Sequence, residues 1–280
     1  MLRLFLGIVA GYGTIMAALF VLQRRLLYHP HRARPDLAGF GFAGVRAVEL
    51  RTRDGLGLLA WYCPPSAERP VVIYFHGNGG HIGYRAERLR RLAAEGYGVL
   101  LTEYRGYAGN PGRPCERGLY HDAEAALDFL ANEQIASSRL VLWGESLGTG
   151  PAVYLASRHP VGAVVLEAPF TSITAAARYH YPWLPVGIMV RDCFDSLSRI
   201  GRIGAPLLVL HGERDPIVPV RMGRALLAAA APPKEGWFVP GATHQNLAQF
   251  GAIEVAAAFI ERWTAPPREA AETGEKAEGP

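Results

Sequence analysis

The stretch "LVLWGESLGTG", residues 140–150, decides the fold of this chain. An apolar run stops abruptly at Ser146, with Gly144 and Gly148 two positions to either side. The pattern G-x-S-x-G is typical of a sharp turn that lifts a serine hydroxyl above a buried strand and leads into a helix. Glycine is needed at both positions because a side chain there would collide with neighbouring backbone. The pattern predicts a nucleophile at Ser146, and the alternative is an ordinary tight turn.

The segments around this turn alternate between short apolar runs, which predict strands, and amphipathic runs, which predict helices. The predicted strands are 45–52, 57–63, 71–75, 97–104, 139–144, 161–169, 206–212 and 236–241, and the predicted helices are 84–94, 118–133, 150–159, 221–231 and 247–263. The first two strands flank a turn signal, "RDG", and are expected to form a hairpin. The whole pattern predicts an α/β fold with a mostly parallel central sheet and helices on both faces.

A nucleophilic serine needs a base, and the base needs an acid that orients it. On this architecture the expected order along the chain is serine, acid and histidine. Asp215 follows a predicted strand in "LLVLHGERDPIVP", and His244 follows the last strand in "WFVPGATHQNL". Ligands of such sheets lie beyond the carboxyl ends of the strands. We therefore expect Ser146, Asp215 and His244 to form a catalytic triad there, with Glu213 as the alternative acid.

Other titratable side chains are expected to have structural roles. Asp192 and Asp195 belong to a different segment and are expected to be surface or capping residues. His211 lies inside a strand-end turn, and His76 opens the loop after the strand at 71–75, so we expect both to brace the backbone.

An acyl-transfer site also needs preorganised N–H groups that bind the oxyanion. One donor is expected at Leu147, directly after the nucleophile. The loop "HGNGGH", residues 76–81, is rich in glycine and lets backbone amides approach a ligand closely. We expect the second donor to be the N–H of Asn78. The alternatives are a merely flexible loop or a phosphate-binding loop, and the second is disfavoured because no G-K-[ST] follows.

The N-terminus forms a separate unit. Residues 4–22 carry no charge, and as a helix they would reach roughly 29 Å, enough to span the hydrocarbon of a bilayer. We expect residues 1–30 to be an uncleaved membrane anchor with a basic flank, the alternative being a cleavable signal peptide. More arginines follow the span than precede it, which predicts a cytoplasmic catalytic domain. Residues 31–264 are expected to form that domain, and residues 265–280 a disordered tail.

Composition excludes several other classes of protein. Hydrophobic residues make up 50% of the chain and the net charge is +4, with scattered arginines and no nucleic-acid footprint. The three cysteines are widely spaced and odd in number, which argues against a disulfide framework or a zinc site. We expect no metal, no organic cofactor and no nucleic-acid partner.

Taken together, the motifs resemble the α/β-hydrolase superfamily, in particular membrane-anchored serine hydrolases of the serine-aminopeptidase-like group. The matching stretches are "FHGNGGHIGYR" (75–85), "YRGYAGNPGRPCERGLYHDAEAALDF" (104–129), "GESLGTG" (144–150), "LEAPFTSI" (166–173), "LHGERDPIVP" (210–219) and "GATHQNL" (241–247). The chain departs from the group's usual residues at Glu103, Asn110, Cys115 and Glu145. None of these departures touches the triad, but Glu145 could change the charge of the entrance.

The resemblance also implies a small cap over the active site, at about residues 170–204. The stretch "RYHYPWLPVGIMVRDCFDSL", residues 178–197, is rich in aromatic and apolar side chains. Its side chains are expected to line an acyl pocket or to pack the cap onto the body, and those predicted to bind substrate are Tyr179, Trp183, Leu184 and Met189.

The sequence therefore predicts a serine hydrolase that cleaves esters or thioesters through an acyl-enzyme, with lipid-like or acylated molecules as plausible substrates. Two alternatives stay open. The same triad also serves an aminopeptidase-like amide hydrolase. A non-catalytic membrane-anchored binding module is the other, although such proteins usually lose a triad member or an elbow glycine, and this chain retains them all.

Overall fold

The computed structural model describes residues 1–40 and 44–264. The predicted tail, residues 265–280, lies outside the described residues. The main sheet has eight strands. In chain order they are β1 (Arg46–Arg51), β2 (Gly57–Cys63), β3 (Val71–Phe75), β4 (Gly98–Thr102), β5 (Leu140–Glu145), β6 (Ala163–Glu167), β7 (Leu207–Gly212) and β8 (Lys234–Val239).

The strands lie in the order β1-β2-β4-β3-β5-β6-β7-β8 across the sheet. β1 and β2 pair antiparallel as the predicted hairpin, and β2 also pairs antiparallel with β4. All the other pairs are parallel. The mostly parallel sheet that the alternation predicted is therefore confirmed.

The helices are α1 (Leu2–Leu27), α2 (Ala86–Ala94), α3 (Glu116–Asn132), α4 (Thr149–Ala156), α5 (Ile173–His180), α6 (Val186–Met189), α7 (Leu197–Ile200), α8 (Val220–Ala229) and α9 (Ala252–Thr264). Short 3-10 turns lie at Ala38–Phe40, Ile82–Arg85, Ser137–Arg139, Ser146–Gly148 and Leu247–Phe250. Two predicted helices begin later than expected. The His81 side chain accepts from the Gly83 N–H and starts a 3-10 turn before α2. Gly251, at a φ of 96°, separates the last 3-10 turn from α9.

Two hydrophobic cores lie on the two faces of the sheet. Side chains alternate between the faces along each strand. Ile73 and Phe75 of β3 accordingly belong to one core, and Val72 and Tyr74 belong to the other. Burial on both faces makes β3 a continuous apolar run instead of an alternating one. The two cores hold the carboxyl ends of β3, β5, β7 and β8 in fixed relation, and the loops with the site residues follow those ends.

Helix α1 extends through the uncharged segment to Leu27. It is long and apolar enough to cross a bilayer, and its apolar window is not buried. A signal sequence has the same character, so the uncleaved anchor remains a prediction that the helix is consistent with. Near its end, Arg24 donates two hydrogen bonds, of 2.7 and 2.9 Å, to Asp192. Asp192 is buried, which corrects the expectation of a surface position, and it also caps α3 by accepting from the Glu116 N–H at 3.1 Å.

Helices α5, α6 and α7 lie between β6 and β7, where the cap was expected. The Ser172 side chain starts α5 by accepting from the Ala175 N–H at 3.0 Å. Phe194 packs into the core against Gly150 of α4, which leaves no room for a Cβ at that glycine. These contacts fix the segment to the body above the carboxyl ends of the strands.

Candidate active site

Ser146 follows β5 at a φ of 50°, in the left-handed region that side chains rarely adopt. The backbone around it is crowded. A Cβ at Gly148 would lie 2.0 Å from the Phe75 carbonyl oxygen, and a Cβ at Gly144 would lie 2.5 Å from the Gly148 carbonyl oxygen. Only glycine fits these two close approaches. The sharp turn that the sequence predicted is therefore present, and it raises the Ser146 side chain above the sheet at the start of α4.

The structure brings Ser146, Asp215 and His244 together from three strand ends. His244 Nε2 lies 2.9 Å from Ser146 Oγ, and His244 Nδ1 lies 2.7 Å from Asp215 Oδ2. A carboxylate accepts hydrogen bonds, so the Nδ1 of His244 carries the proton that Asp215 accepts. The Nε2 of His244 is then free to accept from the Ser146 hydroxyl. The alternative acid, Glu213, instead accepts from Arg224 at 2.5 Å and does not join this chain of hydrogen bonds.

Asp215 lies in a turn that fixes both of its oxygens. Oδ1 accepts from the N–H groups of Ile217 and Val218, each at 2.8 Å. Burial opposes ionisation of the carboxyl, but hydrogen bonds with His211 and His244 outweigh it and hold the pKa of Asp215 below its usual range. His211 is fully buried, and its Nε2 lies 2.8 Å from the Val218 carbonyl oxygen. It braces the turn, as the sequence predicted.

The loop after β3 lies beside the serine. His76 is buried, with its Nε2 2.7 Å from Glu103 Oε1, and the Tyr104 hydroxyl donates to the His76 carbonyl at 2.7 Å. The side chain of Asn78 accepts at Oδ1 from the Tyr107 hydroxyl, 2.9 Å away, and from the His29 N–H, 3.2 Å away. Its Nδ2 donates to the Leu27 carbonyl. The side chain is thus engaged in holding the loop, which leaves only the backbone N–H of Asn78 for a ligand.

A cavity of about 950 Å³ opens above Ser146. Leu147, Asn78 and His244 line it beside the serine. One wall is mostly apolar and comes from the cap and from the loop that leads into α8. Its residues are Phe170, Ile173, Ala176, Ala177, His180, Tyr181, Ile217 and Val218. Another part of the lining consists of polar side chains, including Arg85, Arg88, Glu145, Glu167 and Gln245. The end of α1 contributes Leu27, and the next segment contributes His29. The cavity therefore has an apolar wall and a polar wall.

The pocket residues expected from the sequence need correction. Tyr179, Trp183, Leu184 and Met189 do not line this cavity. Helix α5 turns Ile173, Ala176, Ala177 and His180 toward it, so Tyr179 faces away and lies 47% exposed beneath Arg221. Trp183, in the turn after α5, is 66% exposed. The spacing of 173, 176, 177 and 180 shows that these four side chains share one helical face, but only the packing of α5 decides that this face lines the cavity.

Two half-buried ion pairs form much of the polar wall, and the sequence did not reveal them. Arg85 donates to both oxygens of Glu145, at 3.0 and 2.6 Å. Arg88 donates to both oxygens of Glu167, at 2.6 and 2.8 Å. Burial opposes ionisation of Glu145, but Arg85 overcomes it and lowers the pKa of Glu145 to about 2. The carboxylate beside the nucleophile is therefore neutralised by an arginine and does not make the entrance negative.

The chain is similar in sequence to known α/β hydrolases. Residues 66–192 match the family model described as serine aminopeptidase, S33. The chain is 42% identical to the uncharacterized protein Rv2307c of Mycobacterium tuberculosis, covering 84% of each chain. It is 31% identical to the alpha/beta hydrolase domain-containing protein WAV2 of Arabidopsis thaliana, covering 79% of this chain and 81% of that protein. It is also 36% identical to the lysophosphatidylserine lipase ABHD12 of Rattus norvegicus, covering 61% of this chain and 48% of that protein.

Solved structures show the same fold. The Pyrococcus furiosus esterase Pf2001 superimposes with a TM-score of 0.70 at 21% identity, covering 84% of this chain and 99% of the esterase. At that level of identity the likeness establishes the arrangement of strands and helices and leaves the substrate open. The chain also spans only about half the length of the lipase relatives that it matches.

Proposed function

Because this chain belongs to the α/β-hydrolase family and is a serine hydrolase of the esterase-like type, we propose that it cleaves carboxylic ester or thioester bonds of lipid-like or acylated molecules. The single observation that carries the proposal is the unbroken chain of hydrogen bonds from Ser146 through His244 to Asp215, open to a cavity with an apolar wall.

In the proposed mechanism Ser146 Oγ attacks the carbonyl carbon while His244 Nε2 takes the hydroxyl proton. Asp215 accepts from the Nδ1–H of His244, which keeps the imidazole in the tautomer that can accept that proton. The same carboxylate stabilises the imidazolium that forms. His244 then returns the proton to the leaving alcohol or thiol. Water hydrolyses the acyl-serine by the reverse sequence of proton transfers, and the fatty acid or other acid leaves.

The oxyanion of the tetrahedral intermediate is proposed to accept from the N–H groups of Leu147 and Asn78. Both residues line the cavity next to Ser146, one after each of two adjacent strands. Preorganised donors of this kind are typically worth about 10²–10³ in kcat each, since they are aimed at charge that develops only in the transition state.

The shape and charge of the cavity support an amphiphilic substrate. An acyl chain fits the apolar wall beneath α5, and a polar head fits the side that carries Arg85 and Arg88. Leu27, the last residue of the apolar helix, lines the same cavity as Ser146, which supports a substrate drawn from a lipid phase. A related protein is named a lysophosphatidylserine lipase, and a lysophospholipid has this amphiphilic chemistry. The cytoplasmic position of the catalytic domain stays a prediction.

Amide cleavage at a free amino terminus is the second candidate, suggested by the name of the matching family model. An aminopeptidase has to bind a substrate ammonium, and a free carboxylate in the cavity would do so. Within the described part of the chain, the carboxylates that line the cavity are Glu145 and Glu167, and an arginine engages both oxygens of each. This pairing favours ester or thioester substrates over aminoacyl amides.

The test uses the full chain in detergent micelles. A fluorophosphonate probe is expected to label wild-type protein and the exposed-serine control Ser138→Ala equally, and to leave Ser146→Ala unlabelled. Turnover is then compared on p-nitrophenyl esters of graded length, a palmitoyl thioester, a lysophospholipid and aminoacyl anilides. Undiminished labelling of Ser146→Ala would remove the proposed nucleophile. Faster turnover of the anilides than of every ester would favour the peptidase.

A further inference from the structure

The short segment at which α1 ends, residues 27–31, is bound to the catalytic domain from both sides and is called the strap here. Tyr28 within it is buried in one of the hydrophobic cores. His29 and Pro30 pair parallel with Gly79 and Gly80 of the loop after β3. On the other side, the Ala108 N–H donates to the His31 carbonyl at 2.8 Å. The strap is therefore integrated into the catalytic domain, although the sequence analysis assigned most of it to the anchor.

The contacts of Asn78 connect the strap to the active site. Its side chain makes hydrogen bonds with Leu27, His29 and Tyr107, so two of the three partners belong to the strap. The loop itself has little intrinsic rigidity, because glycines lie at 77, 79 and 80. The direction of the Asn78 backbone N–H is therefore set largely by what holds the Asn78 side chain.

The helix end that leads into the strap is also bound to the cap. Gln23 Nε2 donates to the Met189 carbonyl at 3.0 Å, and the Arg191 N–H donates to Gln23 Oε1 at 2.8 Å. Together with the Arg24–Asp192 pair, these bonds attach α1 to the cap. The end of the apolar helix thus joins the cap to the loop that carries Asn78.

From these contacts we propose that the strap positions the oxyanion hole: the His29 N–H and the Leu27 carbonyl hold the Asn78 side chain so that the Asn78 backbone N–H faces Ser146. This inference rests on the proposed function. His29 acts here as a positioning residue through its main chain, and Asn78 supplies the donor. The N-terminal helix then contributes to the rate of the chemical step as well as to location.

The experiment uses the full chain in detergent micelles and measures kcat and KM on p-nitrophenyl octanoate, and Ki for a trifluoromethyl ketone that forms a tetrahedral adduct with serine. Asn78→Ala frees the loop but keeps its backbone N–H. His29→Pro removes the N–H that Asn78 Oδ1 accepts, and the extended φ and ψ of Tyr28, −96° and 129°, are compatible with a following proline. His29→Ala is the matched control, because it keeps that N–H.

Because the oxyanion donor is loosened and not deleted, we expect Asn78→Ala and His29→Pro each to lower kcat about tenfold and to raise Ki by a similar factor, with KM within about threefold. His29→Ala loses the same cavity-lining side chain but keeps the N–H, so His29→Pro is expected to show a change of about tenfold in kcat and Ki relative to His29→Ala. The double variant is expected to lose no more than Asn78→Ala alone, because Asn78→Ala already removes the contact that His29→Pro breaks. Wild-type kcat and Ki in both single variants, with only a lower thermal midpoint, would overturn the inference and reduce the strap to a structural element.

A second pair of variants keeps the test decisive if His29→Pro does not fold. Tyr107→Phe removes the remaining hydroxyl partner of Asn78, and Tyr97→Phe removes a buried hydroxyl at the opposite edge of the sheet, where it donates to Glu261 at 2.7 Å. Only Tyr107→Phe is expected to raise Ki, because it releases part of the Asn78 side chain. Equal Ki values in the two variants would show that the contacts of this side chain do not set the oxyanion donor, and would overturn the inference. An inactive Ser146→Ala with unchanged strap variants overturns this inference alone, whereas an active Ser146→Ala overturns the proposed function and the inference with it.

Discussion

The Arg85 guanidinium donates hydrogen bonds to both carboxylate oxygens of Glu145, at 3.0 and 2.6 Å. Glu145 lies one residue before Ser146, the serine at the centre of the site. The Tyr74 hydroxyl donates to the same carboxylate at 2.7 Å. Both charges of the pair are half-buried, so either one left without its partner would lose stability. The pair therefore fixes α2 and the end of β5 together just below the oxyanion loop.

Glu145→Gln is expected to destabilise the protein at neutral pH, by about 1–3 kcal/mol, because the half-buried Arg85 loses its counter-charge and its charge-assisted hydrogen bonds. The pKa of Glu145 is lowered to about 2 in the folded protein from 4.5, so its contribution is present above about pH 4.5 and is lost as the pH falls toward 2. The gap in thermal midpoint between wild type and variant should therefore narrow as the pH falls from 7 to 3. Glu213→Gln, which breaks an exposed pair, is the control; a gap that does not change with pH would contradict the prediction.

Asp215→Asn is expected to lower kcat by about 10⁴ with little change in KM, because the amide cannot hold the imidazole in the tautomer that accepts the serine proton. Asp195→Asn is the matched control, because Asp195 lies outside the site and accepts from the Ser198 N–H. Steady-state kinetics on a p-nitrophenyl ester, with circular dichroism to check folding, measures the effect. A loss of less than tenfold in a folded Asp215→Asn variant would exclude Asp215 as the acid of the triad.

Gly148→Ala is expected to distort the turn that presents Ser146, because its Cβ would lie 2.0 Å from the Phe75 carbonyl oxygen, where nothing flexible can move aside. We expect at least a tenfold loss of fluorophosphonate labelling rate and a thermal midpoint several degrees lower. At Gly204 a Cβ would meet nothing within 4 Å, so Gly204→Ala should behave as wild type. Equal labelling of the two variants would show that the turn tolerates a side chain.

Ala177→Phe is expected to fill the apolar wall of the cavity and to shorten the acyl chains that the protein accepts. The value of kcat/KM for a palmitoyl ester should fall at least about tenfold, and that for an acetyl ester should change less than about threefold. Trp183→Ala is the control, because Trp183 lies outside the cavity lining. The measurement is kcat/KM as a function of acyl-chain length for both variants in detergent. If Trp183→Ala alters this dependence and Ala177→Phe does not, the acyl pocket is the one expected from the sequence.

The buried strands and the serine turn illustrate how much local sequence pattern can predict. β3, β5, β6 and β7 are buried on both faces, and their apolar runs are visible in the sequence without any knowledge of neighbours. The turn at Ser146 is also visible as a local motif, although the atom that excludes a Cβ at Gly148 is the Phe75 carbonyl oxygen of the neighbouring strand. Because parallel strands end at a common edge, the positions of Asp215 and His244 after two later strands were enough to predict their meeting with Ser146.

The lining of the cavity could not be predicted in the same way. Side chains at 177 and 179 have similar sequence surroundings, and only the rotation of α5 over the sheet turns Ala177 inward and Tyr179 outward. The charge of the entrance depended likewise on Arg85, sixty residues before Glu145 along the chain. Asp192 was expected to be a surface or capping residue. Its ion-pair partner, Arg24 near the end of α1, lies 168 residues away along the chain.

The sequence by itself determined the α/β fold, the sharp turn at Ser146 and the identity of the side chains that meet there, because these follow from periodicity, glycine sterics and strand-end position. Only the tertiary structure decided which face of the cap lines the cavity, that Glu145 is neutralised, and that residues 27–31 hold the Asn78 loop. Those features depend on the angles at which distant elements pack, and no local pattern of residues encodes such an angle.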